Sequence, residues 1–274
     1  MSTLTLTKHH GLGNDFLVVF HPHVDDLPAL AQRLCDRRRG IGADGMLVGE
    51  SEDGYAARMV LFNADGSLAE MSGNGIRCFA QALAARRGDM VPQRIMTDAG
   101  ERCVTLSTTD DPHTIHASVD MGAIEAIDEP EGWDQLGCHP DRPVVHLSLG
   151  NPHSVVGVED VTVVDLSALG LKVPQVNLEV VAPGEHQDAI RMRVHERGAG
   201  ITEACGTGAC AAAYAAARWG LATPRDGKLV VEMDGGSATV TLDSPAPGRV
   251  ILTGPATYIG TVEVTVDDIV EETL

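Results

Sequence analysis

The sequence predicts an α+β protein of two homologous halves, each a curved antiparallel β-sheet or barrel around one central helix. Three observations carry that prediction. First, the chain repeats itself. RMVLFNADGSLAEMSGNGIRCFA (58–80) aligns without a gap on RMRVHERGAGITEACGTGACAAA (191–213), pairing Arg58 with Arg191, Glu70 with Glu203, Gly73 with Gly206 and Gly75 with Gly208. LGN at 12–14 recurs at 149–151, so two signals appear in the same order in each half. Second, short β-branched or alternating runs recur at 16–20, 59–62, 104–107, 115–120, 144–147, 154–158, 190–195, 228–233, 238–242, 250–252 and 261–266. Gly, Pro, Asn and Asp separate them, which reads as antiparallel sheet. Third, each half has one clear helix, at 75–87 and 208–219, opened by Gly-x-Gly and stopped by Gly88 or Gly220.

The remaining elements follow from the same signals. Further helices are expected at 27–38 and around 165–169. The second repeat helix is so rich in alanine that it reads as buried against close neighbours. The polar, turn-rich stretch 120–135 marks the boundary. We expect an N-terminal half at 1–120, completed by a returning strand at 262–274, and a C-terminal half at 121–261. A pseudo-two-fold axis and a site at the seam are expected with them.

Composition narrows the function classes. With 274 residues the chain buries a sizeable core without staples. Twenty basic against 39 acidic residues, net −19, argues against a nucleic-acid binder, which needs basic patches. Aromatics at 3% argue against a base-stacking platform. No apolar run reaches a membrane span and no targeting segment is visible, so a cytoplasmic location is expected. The six cysteines form no CxxC pair. Cys35, Cys78, Cys103 and Cys138 read as buried small hydrophobes, and no metal site is expected.

The chemistry is expected at the repeated helix starts. The first turn of a helix offers free N–H groups and the positive end of the dipole. GNG (73–75) and GTG (206–208) let those amides approach a small anion. Immediately before them stand Ser72 and Cys205. A cysteine at a helix N-terminus has its pKa lowered, which makes Cys205 a candidate reactive thiol; the alternative is an inert cysteine in a tight turn. Ser72 reads as an N-cap by itself, but the repeat places it where the other half carries its thiol. Asn63 and Glu196 are equivalent in the repeat. Arg197 is a candidate clamp for a carboxylate, or part of a surface ion pair with Glu196. Asn14 and Asn151 are candidate ligands or turn formers. His153 either orients a reacting group or is a satisfied strand histidine.

The motifs KHHGLGNDF (8–16), RRGIGADG (38–45), FNADGS (62–67), SGNGIRCFA (72–80), GNPH (150–153), VNLE (176–179) and HERGAG…ACGTGACAAA (195–213) together resemble the diaminopimelate epimerase family over nearly the whole chain. The resemblance implies an isomerase of lysine and cell-wall biosynthesis. It implies two-base proton transfer at the α-carbon between LL- and meso-diaminopimelate, with no pyridoxal phosphate, no other cofactor and no metal, in a homodimer. It places Cys205 at one catalytic cysteine and Ser72 at the other, where the family has a thiol. His153 and Glu196 fall at supporting catalytic positions. Gly73, Asn74, Gly206 and Thr207 fall in the loops that bind the reacting carboxylate. Asn14, Asn63, Asn151, Asn177 and Arg197 fall at substrate-binding positions. Gly45 stands where many members carry a glutamine that touches substrate.

A serine hydroxyl is a far weaker acid than a thiol, so net epimerisation is expected to be impaired. Two alternatives stay open on sequence. One is a one-thiol epimerase or dehydratase of the proline racemase-like superfamily. The other is a non-catalytic amino-acid-binding homologue.

Overall fold

Glycine-opened, glycine-stopped helices organise two similar arrays of strands. In the computed structural model, which describes residues 2–266, the chain forms two compact units. One holds the residues up to Ala117 and the chain from Pro255 onward; the other is Ser118–Gly254. Residues 267–274 of the expected closing strand lie outside the described residues.

The first unit runs β1 (Ser2–Gly11), β2 (Asn14–Phe20), α1 (Leu27–Cys35), β3 (Gly45–Glu50), β4 (Ala57–Asn63), β5 (Leu68–Ala69), α2 (Gly73–Arg87), β6 (Gln93–Thr97) and β7 (Gly100–Thr108). Strand β8 (Thr114–Ala123) leads onward, and β9 (Glu125–Ala126) follows. The second unit repeats the order: β10 (Val144–Ser148), β11 (Pro152–Gly157), α3 (Leu166–Gly170), β12 (Asn177–Pro183), β13 (Ala189–Glu196), β14 (Gly200–Thr202), α4 (Gly206–Trp219), β15 (Lys228–Met233) and β16 (Gly236–Leu242). Strand β17 (Arg249–Val266) ends the described chain, and from Thr257 to Val266 it pairs antiparallel with β1.

The pairings also repeat. Phe16 opposes Gly45 in the parallel pair β2–β3, and His153 opposes Asn177 in the parallel pair β11–β12. Leu61 opposes Ala69 as Val194 opposes Thr202. Each sheet is therefore mixed, not wholly antiparallel as the turn-rich sequence predicted. The parallel pairs β2–β3, β4–β6, β11–β12 and β13–β15 each span a helical crossover. Parallel neighbours require such a crossover, whereas antiparallel ones need only a turn.

Burial explains the strand sequences. β2, β3 and β12 are buried almost end to end. Their sequences are continuous apolar runs because both faces are covered. Leu17 and Val19 join the core under α1, with Leu30 and Leu34. On the other face of β2, Phe20 meets Phe79 of α2, ring centroids 5.4 Å apart. In α4, Ala209, Ala211–Ala213, Ala215 and Ala216 are buried, so small side chains let strands approach its backbone. Both repeat helices stop at a left-handed glycine, Gly88 at φ 73° and Gly220 at φ 71°. L side chains disfavour that conformation.

Candidate active site

The two helix starts are built alike. Ser72 and Cys205 are both N-caps in extended backbone, at φ −135°, ψ 123° and φ −126°, ψ 116°. Ser72 Oγ accepts from Gly75 N at 3.0 Å, and Cys205 Sγ accepts from Gly208 N at 3.4 Å. The glycines thus lie within the first helical turn, two residues earlier than the sequence pattern placed it. Helix geometry gives the N–H groups of Gly73, Asn74, Gly206 and Thr207 no intrahelical acceptor. Those four positions are the ones where the sequence expects donors for a small anion.

Around α2 the polar groups are charged. Asn74 Nδ2 donates to Asn14 Oδ1 at 3.2 Å, and Asn14 Nδ2 donates to Asp44 Oδ2 at 2.7 Å. Arg77, wholly buried, donates to Asn74 Oδ1 at 2.7 Å and to the carbonyls of Gly73 and Pro255. Asp15 pairs with Lys8 at 2.9 Å and Arg37 at 2.7 Å. Burial pushes the Asp15 carboxyl up, but hydrogen bonds from Arg37 and Lys8 outweigh it and hold the pKa below its ordinary value. Asn63 is exposed at the end of β4 and donates to Ser67 Oγ at 3.0 Å. Gly45 is closely packed: a Cβ there would lie 2.7 Å from the Phe62 carbonyl oxygen. A glutamine at that position would require the backbone to shift.

Around α4 the polar groups form a relay. Cys205 Sγ lies 3.5 Å from Thr207 Oγ1, and Asn151 Nδ2 donates to Thr207 Oγ1 at 3.2 Å. His153 Nε2 lies 3.0 Å from Asn151 Oδ1, and His153 Nδ1 lies 2.6 Å from Glu179 Oε1. His153 and Glu179 are both wholly buried. Four predicted residues therefore form one hydrogen-bonded group. Asn177 is buried and spans two backbone groups: Nδ2 donates to Pro152 O at 3.1 Å, and Oδ1 accepts from Arg197 N at 2.9 Å. Glu196 accepts from Thr202 Oγ1 at 2.5 Å, and the Arg197 side chain is exposed.

The expected acidic thiol is corrected. Cys205 is 4% exposed, and burial drives its pKa well above that of an ordinary cysteine; the Glu196 carboxylate pushes it further up. The Thr207 hydroxyl and Gly208 N–H pull the other way and lose. The helix-terminus argument fails because a buried sulfur loses its hydration before the dipole compensates. Among the other cysteines, Cys35 and Cys78 are buried as expected, with pKa values pushed up to about 12, mainly by burial. Cys103 is exposed on β7, and Cys138 is half-buried against the cluster that contains Trp133 and Val161.

Glu179 and Arg77 are site residues that sequence reasoning passed over. Each carried a signal: a lone carboxylate inside the apolar run NLEVVAP, and a lone arginine on the apolar start of α2.

With this geometry in hand, the kinship of the chain is direct. A sequence model of diaminopimelate epimerase matches residues 6–127 and 145–259. The diaminopimelate epimerase of Thermosynechococcus vestitus is 38% identical over 93% of this chain and 96% of its own. The chain belongs to the diaminopimelate epimerase family. It is accordingly an isomerase, an epimerase of this fold. Two solved structures share the fold. A predicted epimerase from Pseudomonas aeruginosa has TM-score 0.76 and 15% identity, covering 96% of this chain and all of that one. A probable proline racemase from Agrobacterium radiobacter has TM-score 0.71 and 15% identity, covering 97% and 94%. This family member carries Ser72 at one repeated cap and Cys205 at the other. Among the described residues no helix is long and apolar enough to cross a membrane.

Proposed function

We propose that this protein binds diaminopimelate and exchanges a proton at its α-carbon through Cys205, with Ser72 limiting net inversion. The observation that carries the reading is the pair of matched helix starts. Each presents backbone donors to a carboxylate and sets one cap side chain beside them. Negative charge that develops on the α-carboxylate as the carbanion forms is stabilised by those donors. Cys205 removes the α-proton as thiolate and returns one as thiol. Ser72, a much weaker acid, contributes little on the opposite side. His153 and Glu196 support the reacting end; Asn14, Asn63, Asn151, Asn177 and Arg197 belong to the substrate pocket. The reading includes a homodimer in the cytoplasm and a place in lysine biosynthesis. Light scattering on the purified protein tests the dimer.

The test is incubation with LL- or meso-diaminopimelate in D2O. We expect deuterium at the α-carbon of one isomer with little inversion, and loss of exchange by at least about 100-fold in Cys205→Ala. Absence of exchange from both isomers, with diaminopimelate bound, sinks the reading. The hydroxyl at position 72 favours one competing reading, a one-thiol reaction on another amino acid of the proline racemase-like superfamily. Tighter binding of a proline derivative than of diaminopimelate selects it.

A further inference from the structure

The pairing registers of the two units place Phe16 at the position of His153 and Leu47 at the position of Glu179. Phe16 opposes Gly45 across β2–β3, and Leu47 lies two residues on; His153 opposes Asn177 across β11–β12, and Glu179 lies two residues on. The glycines in the helix starts report the same match. A Cβ on Gly75 would meet Leu47 Cδ2 at 3.4 Å, and a Cβ on Gly208 would meet Glu179 Oε1 at 2.6 Å. One unit therefore fills this place with two apolar side chains. The same fold in the other unit holds a buried imidazole and a buried carboxyl there. Packing does not require them, and burying ionisable groups costs stability unless they are paired.

We propose that Glu179 is a positioning residue: by fixing which nitrogen of His153 carries the hydrogen, it aims a hydroxyl donor at Cys205 Sγ through Asn151 and Thr207. This rests on Cys205 being the proton-transfer group. The directions follow one from another. Asn151 Oδ1 is an acceptor, so His153 Nε2 donates to it. With the pair neutral, Nδ1 is the acceptor, and the carboxyl of Glu179 donates to it across the 2.6 Å contact. Asn151 Nδ2 donates to Thr207 Oγ1, which leaves the Thr207 hydrogen for Cys205 Sγ. Glu179 Oε2 is buried without a hydrogen-bond partner, an arrangement a neutral carboxyl tolerates better than a carboxylate. Burial also raises the Glu179 pKa, against the pull of His153. The titratable groups facing Cys205 are Glu196 on β13 and Glu179 on β12, with His153 on β11 behind Asn151.

The test uses the free protein, so it does not depend on which substrate is turned over. Iodoacetamide alkylation of Cys205 is followed by peptide mass spectrometry, separately from exposed Cys103, across pH 7 to 10. Nitrogen-15 spectra report the His153 tautomer. Glu179→Gln keeps a donor at Nδ1 through its amide nitrogen, so Glu179→Leu is the decisive variant: with no donor facing Nδ1, the Nδ1–H tautomer is populated and the relay is no longer aimed. In Glu179→Leu we expect Cys205 alkylation at each pH to slow about tenfold, as for one lost hydrogen bond to the thiolate. Thr207→Val should slow it equally, and the double variant no further. Glu179→Asp should keep the native tautomer. The pair His153→Phe/Glu179→Leu, borrowed from the other unit, gives a second test should Glu179→Leu alone misfold; it too should slow alkylation. Unchanged tautomer, or unchanged or faster alkylation in a folded variant, overturns the proposal. Faster alkylation identifies Glu179 as a repelling carboxylate. Failure of deuterium exchange with these results intact overturns the substrate reading alone.

Discussion

The helix starts at Ser72 and Cys205 share a backbone conformation and differ in what lies behind them. Behind Ser72 stand a buried cation, Arg77, and the apolar pair Phe16 and Leu47. Behind Cys205 stand neutral Asn151 and Thr207 and the buried His153–Glu179 pair. Ser72 is half-buried, and Cys205 is 4% exposed. A repeated fold thus carries two electrical environments. Backbone geometry supplies first-turn amides without intrahelical acceptors twice, and different side chains surround each cap.

That contrast can be broken in graded steps. The largest effect is expected from Ser72→Cys, which restores a thiol to the cap beside the cation. Net epimerisation, measured by separating LL- and meso-diaminopimelate, should rise about 100-fold or more. Continued inactivity would point away from a two-thiol reaction. The second step removes the polar pair. His153→Phe/Glu179→Leu should keep or raise the melting temperature, since replacing a buried ionisable pair by packed apolar groups is neutral or stabilising by about 1–4 kcal/mol. A clear fall in calorimetric stability would mean the pair is needed for the fold.

The third step concerns the charges in the first unit. The Asp15 pKa is held below its ordinary value, so the native state binds fewer protons there than the unfolded chain. Its contribution is present above the unfolded pKa, about 3.9, and is lost as pH falls through the lower folded value. Asp15→Asn should cost about 1–3 kcal/mol at pH 7 in urea titrations, and the difference from wild type should shrink steadily below pH 4. A difference independent of pH would rule out the charge as its cause. The smallest step is Ser72→Ala, which removes the cap bond to Gly75 N. It should cost about 1 kcal/mol, and a difference within error would show that the helix holds without it.

The sequence made much of this legible, and the limits have physical causes. The repeat located both caps because it preserved the glycines that the first turn requires. Asn14 and Asn151 were readable for the same reason, and each bonds to the second residue of its helix, Asn74 or Thr207. Strands β3 and β12 were not readable, because burial on both faces erases the alternation that marks a strand. Strand β17 read as two because Gly254, Pro255 and Gly260 interrupt its pattern, yet it runs unbroken from Arg249 to Val266. Parallel pairing was hidden because local turn residues say nothing about crossovers. The raised pKa of Cys205 was out of reach: it depends on burial and on Glu196, which precedes it in sequence and meets it only in the fold.

Strand β1 has a consequence for the order in which the protein is made. Its partner along residues 2–10 is the stretch of β17 from Thr257 to Val266. A ribosome therefore synthesises the whole of Ser118–Gly254 before the partner of the first strand exists. During synthesis the later unit has all its strands while the earlier one waits with an unpaired edge, a site where other chains can add. A chain ending at Gly254 and released from the ribosome should accordingly protect the second unit from protease while the first stays open.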